Sequence, residues 1–104
     1  MNDTIKKVNR IANINIKLEE PNIYNIRNIL RSEGSVILLY HWQKKYKQGE
    51  HYILIESIDN HKYKIVNHSF QKNIHYITSR ELRTMLLPFV RDNNEFPRMW
   101  HIKN

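Results

Sequence analysis

The chain reads as an α+β domain: a twisted, mainly antiparallel sheet of about five strands with two to three helices packed against it. Three observations predict this. Apolar and polar residues alternate from Asn13 to Leu18, from His51 to Ser57 and from Lys62 to Asn67, as half-buried strands require. Val36-Ile37-Leu38-Leu39-Tyr40 is apolar on both faces, which suits a central strand covered on both sides. Thr78-Ser79-Arg80-Glu81 has the spacing of a capping box at the head of an amphipathic helix.

Taken in order, Asp3 or Thr4 can cap a short first helix to about Ala12, with Ile5, Val8, Ile11 and Ala12 at helical spacing. The strand of Asn13 to Leu18 follows, with Ile14, Ile16 and Leu18 on one side. Glu19-Glu20-Pro21 breaks it, and proline and acids suit the first turn of a second helix. Ile23, Ile26, Ile29 and Leu30 form that helix's buried stripe, and Gly34 is the expected stop. After the central strand, Gln43 to Gly49 reads as a basic connection. Trp42 before it and its residues Lys44, Lys45, Tyr46 and Lys47 are the candidates for contact with a partner.

Asp59-Asn60 is turn chemistry between the strands at His51–Ser57 and Lys62–Asn67. A fold about Asp59 pairs Ile53 with Ile65, Ile55 with Tyr63, Tyr52 with Val66 and Glu56 with Lys62, because a one-residue slip would mix core and solvent faces. That register sets His51 directly across from Asn67. A short strand is expected at Asn73 to Ile77. Leu82, Met85, Leu86 and Phe89 then make the apolar face of the capped helix, which Pro88 bends or ends. Arg91 to Glu95 reads as a polar loop and Arg98 to Ile102 as a closing strand, with Trp42 and Trp100 as core or interface aromatics.

The 104 residues suit a single domain, 1–104, with no repeat or linker. No run of about 18 apolar residues marks a membrane span and no apolar region near Met1 marks secretion, so a cytoplasmic protein without membrane insertion is expected. The chain has no cysteine, which excludes disulfides, thiolate zinc sites and a thiol nucleophile. His61, His68 and His75 lack the close spacing of a metal site, and no metal or other cofactor is expected. The net charge of +7 favours acidic partners, nucleic acid or acidic peptides. Part of it follows from composition, since Ile, Asn and Lys share A/T-rich codons of the kind some large viruses and low-G+C bacteria use. For a virus the compartment would be the host cytoplasm.

The order of elements, with G-E-H-Y-I-L-I-E-S-I-D, a turn and K-Y-K-I-V-N, resembles the C-terminal sheet half of the papain-like cysteine peptidases of the bacteriocin-processing, double-glycine leader type. The similarity is best from Ser35 to about Phe89. In that family a histidine begins one strand and the acid or amide that orients it ends the next, and the separation of 16 positions from His51 to Asn67 matches this spacing. The resemblance implies that His51 stands at the catalytic histidine and Asn67 at its orienting partner. It departs from the family in lacking the cysteine-bearing lobe and in placing His68 where a proline is usual. Neither Thr4, Ser32 nor Ser35 has the context to replace the thiol. The resemblance therefore implies a non-catalytic, peptidase-derived interaction module, a pseudoenzyme in which His51 and Asn67 are vestigial. Its partner would be a polypeptide, or a second copy meeting the face left by the missing lobe. The alternatives are the histidine-bearing half of a split peptidase completed by another chain, and a basic nucleic-acid-binding protein.

Overall fold

The computed structural model describes residues 15–67 and 74–103; the helix expected between Thr4 and Ala12 lies outside them. Strand β1 is Asn15–Glu19 and helix α1 is Ile23–Arg31. Pro21 and the two glutamates were expected inside the first helical turn, but Asn22 holds the cap. Its backbone is extended (φ −150°, ψ 161°) and its Oδ1 accepts the Asn25 amide at 2.8 Å, satisfying one of the helix's orphan donors. No acid lies in the first turn. The buried stripe of Ile23, Ile26, Ile29 and Leu30 forms as its spacing predicts.

The left-handed terminator falls one residue before the expected glycine. Glu33, not Gly34, takes the left-handed conformation (φ 64°). The Glu33 amide donates to the Leu30 carbonyl at 3.2 Å and the Gly34 amide to the Ile29 carbonyl at 2.9 Å, the two bonds of a Schellman ending. Gly34 serves close approach instead. A Cβ there would lie 2.9 Å from His101 Nε2 and from Ile29 Cγ2, and 3.1 Å from the Ile102 carbonyl oxygen.

Strands β2 (Ser35–Lys44), β3 (Lys47–Asp59), β4 (Lys62–Asn67) and β5 (Ile74–Thr78) form an antiparallel meander. The last strand, β8 (Arg98–Lys103), inserts between β1 and β2, giving a six-stranded sheet of order β1-β8-β2-β3-β4-β5. The closing strand is thus interior, and Met99 and Trp100 are buried on its two faces. Val36 and Leu38 face one side of β2 and Leu39 the other, all buried, as the run of apolar residues predicts.

Two expectations about the hairpins are corrected. The basic connection from Gln43 to Gly49 is continuous strand closed by a two-residue turn, Lys45-Tyr46, with Lys44 paired to Lys47 and Lys45 at φ 53°. Between β3 and β4 the turn is Asn60-His61, both at positive φ (48° and 65°), the conformation that matches strand twist in a two-residue hairpin. A bulge at Glu56 then shifts the ladder, so that Ile55 pairs with Ile65, Leu54 with Val66 and Ile53 with Asn67. Inward of the bulge the expected pairs, including His51 with Asn67, are displaced by two residues; beyond it Lys62 pairs with Asp59 in place of Glu56, a displacement of three. A displacement of two preserves which face each side chain occupies, so Ile53, Ile55 and Ile65 keep to the core.

Helix α1 and helix α2 (Ser79–Met85) cover one side of the sheet, the helix face. The capping box forms as predicted: the Glu81 amide donates to Thr78 Oγ1 and the Thr78 amide to Glu81 Oε1, each at 3.2 Å. Arg27 of α1 ties both helices to the sheet, its Nε donating to the buried Tyr63 hydroxyl at 3.0 Å and its Nη2 to Ser79 Oγ at 3.3 Å. Phe89, expected on the helix, lies beyond Pro88 on the opposite side. The supposed polar loop from Arg91 to Glu95 belongs to a second hairpin, β6 (Phe89–Arg91) and β7 (Asn94–Phe96), turning at Asp92-Asn93 with both at positive φ. Leu39, Phe96 and Trp100 form a small second core beneath it. Among the described residues no helix is long and apolar enough to cross a membrane.

Gly34→Ala is expected to cost on the order of 1–3 kcal/mol, since a backbone carbonyl and two packed side chains must shift; denaturant unfolding beside the unchanged sequence measures it.

Candidate functional site

Among the described residues, strand β8 pairs with β2 only as far as Leu39, and β4 pairs with β3 only from Ile53 onward. The remaining lengths, Tyr40 to Lys44 and Lys47 to His51, continue as a two-stranded arm held by their own ladder. Alternation along each strand divides the arm's residues by face. Tyr40, Trp42, Lys47, Gly49 and His51 follow Leu38 and Ile53 on the helix face; His41, Gln43, Gln48 and Glu50 lie on the other. Helix cover fades along this line: Leu38 is fully buried, Tyr40 half-buried, and Trp42 is 38% exposed.

Gly49 is the ladder partner of Trp42, and the indole lies across it. A Cβ at Gly49 would sit 3.1 Å from Trp42 Nε1 and 3.2 Å from Cε2 and Cζ2, so the glycine makes the seat for the ring. One step inward, the Tyr40 and His51 rings meet edge to face, centroids 6.0 Å apart at 86°. Burial pushes the Tyr40 phenol's pKa above its ordinary value. Asn67 stands opposite Ile53, so positions 51 and 67 are diagonal neighbours on the helix face, not directly opposed ones. At the tip Tyr46 is fully exposed, and among the described residues neither Lys45 nor Lys47 has a carboxylate within 4 Å. Of Lys44 the backbone pairing with Lys47 is described.

These residues form an aromatic shelf, Tyr40, Trp42 and His51, beside a basic tip. The chain supplies no thiol for His51 to activate. Among the described residues no three His, Cys, Asp or Glu side chains gather to hold a metal ion. The arrangement presents an apolar surface, an imidazole and, at the tip, two lysines with no carboxylate within 4 Å among the described residues.

The arm's other face was not foreseen. His41 stacks on Phe89 of the second hairpin, centroids 3.7 Å apart and planes within 7°, with Phe96 at 6.0 Å. Glu50 Oε1 lies 3.9 Å from Arg91 Nη1 across the same junction. His41 Nε2 and Trp100 Nε1 are buried there without hydrogen-bond partners among the described residues. The signal for this hairpin was present in Asp92-Asn93-Asn94, turn chemistry between Phe-Val-Arg and Glu-Phe. Apart from the arm, an open groove of about 580 Å³ runs along α2 at Ser79, Arg83 and Leu87, and two smaller cavities lie elsewhere. One of about 280 Å³ is floored by Leu18 and Trp100 between Pro21 and Pro97; one of about 220 Å³ holds His101 and Glu19, 3.9 Å apart.

Gly49→Ala is expected to lift the indole rather than unfold the arm, because Trp42 is open on its outer side. Stability should change by less than about 1 kcal/mol while the emission of Trp42 shifts, with buried Trp100 as the steady background. Comparison with models of known protein families, with curated proteins and with solved structures finds no match to this chain.

Proposed function

We propose that the chain is a non-catalytic, peptidase-derived interaction module that docks a polypeptide on the helix face of the β2–β3 arm. The observation that carries this is Trp42 seated on Gly49 beside Tyr40 and His51, on a stretch of sheet the two helices leave uncovered. Exposed tryptophan on a rigid strand pair is a surface from which one side chain can supply much of a binding energy. The resemblance to the sheet half of a papain-like peptidase supports the same location, since it assigns the old histidine position to His51. In this reading the imidazole hydrogen-bonds the bound chain instead of moving a proton.

A second reading, the histidine-bearing half of a split cysteine peptidase, draws on positions 51 and 67 sharing one face as diagonal neighbours. Without a thiolate an imidazole of this kind retains only binding and orientation. The two separate by mass spectrometry of bound peptides, which remain intact for the interaction module and are cut for the peptidase half once a cysteine-bearing partner is added.

The central test is selection from a random-peptide display library by the full chain and by Trp42→Ala, each checked for an unchanged circular dichroism spectrum. The expected loss for Trp42→Ala is about 2 kcal/mol or more, roughly thirtyfold in Kd. Equal retention of the same peptides by both proteins would remove the arm from consideration.

A further inference from the structure

We infer that the segment docked on the arm is acidic and extended, with a large apolar side chain over Trp42 and a carboxylate two positions away beside Lys45 and Lys47. This rests on the reading of the arm as a polypeptide-docking surface and adds the chemistry of the partner. The ladder sorts the arm's charges by face. Between Gly34 and Ile55 the only acidic residue is Glu50, and it lies on the face of His41, 3.9 Å from Arg91. Lys47 shares the opposite face with Trp42, and Lys45 stands in the adjoining turn; among the described residues neither has an anion of this chain nearby. The cations beside the shelf are thus left for an external anion, and their local field favours an acidic chain over a basic one.

Spacing sets the pattern. Ladder steps along the helix face recur every two residues, about 6.8 Å, the repeat of side chains on one side of an extended peptide. An apolar residue over Trp42 therefore brings the residue two positions along to the next step, where Lys47 stands. The same count weighs against a nucleic-acid strand. The tip carries three lysines, Lys44, Lys45 and Lys47, so it offers at most three phosphate contacts, and affinity from counterion release grows with the number of phosphates neutralised.

The full chain is offered a random-peptide display library, and in parallel a fluorescent oligothymidylate at low and high salt. Enriched peptides are expected to carry Asp or Glu two positions from a large apolar residue. Lys45→Glu with Lys47→Glu is expected to lower their affinity on the order of tenfold or more and to redirect selection toward Lys and Arg, with Lys45→Gln/Lys47→Gln between. Enrichment of apolar peptides without acids, unaffected by either double variant, would overturn the acidic partner and leave polypeptide docking standing. No enrichment by the folded chain would overturn both. Tighter binding of the oligothymidylate than of any peptide, falling steeply with salt, would replace the peptide with single-stranded nucleic acid.

Discussion

The β2–β3 ladder is the constraint on which the rest of this structure depends. Nine successive pairs, from Val36–Ile55 to Lys44–Lys47, fix one alternation along the whole length of both strands. Its inner half turns Val36, Leu38, Ile53 and Ile55 to the helices, where all four are buried. Because the period of a strand is two, the outer half has no freedom to choose. Tyr40, Trp42 and His51 must follow the core residues onto the helix face, and Glu50 must follow His41 away from it. Core packing therefore orients a surface that contributes little to the core itself. Shifting this ladder by a single residue would expose four apolar side chains and dismantle the shelf together.

How much of this was legible follows from the range of the forces involved. Signals read within one turn or one strand survive: the Thr78–Glu81 box, the Ile23–Leu30 stripe and the two-faced apolar run from Val36 all form. Signals that depend on competition between neighbouring residues do not. Gly34 looks like the left-handed terminator, yet Glu33 takes that conformation and Gly34 stands where an added Cβ would meet the Ile102 carbonyl oxygen of β8 at 3.1 Å. Asp59-Asn60 looks like the turn, yet Asn60-His61 makes it, and the bulge at Glu56 keeps Tyr63 on the buried face despite the displaced register. The insertion of β8 between β1 and β2 is a long-range pairing that no local pattern records.

For the site the same division holds. Trp42, Tyr46 and the lysines were legible as a cluster because they adjoin in sequence. Their division between faces was not, because Gln43 to Gly49 read as loop, and a loop has no period to sort side chains. His51 and Asn67 were legible as one surface but not as the pair first expected. The error of two residues is harmless to the face and consequential for the chemistry, since it moves the amide position from directly opposite the imidazole to a diagonal one.

The small hairpin gives the arm its rigidity on one side, and the energetics say what kind of contribution that is. Stacking His41 on Phe89 is worth about 0.5–1.5 kcal/mol beyond its buried area, while leaving His41 Nε2 without a partner costs about 1–3 kcal/mol. The two ranges overlap, so the contact's net contribution is small and the hairpin does not hold the arm through it alone. It requires the apolar burial of Phe96 and Trp100 beside it and the Arg91–Glu50 pair at its rim. A buttress of this composition stabilises weakly, since its charge pair spans 3.9 Å between partly exposed side chains. The arm is thus braced on the face that carries its acid and left open on the face that carries its aromatics and cations. An extended strand pair braced in this way meets a partner with little conformational entropy still to lose.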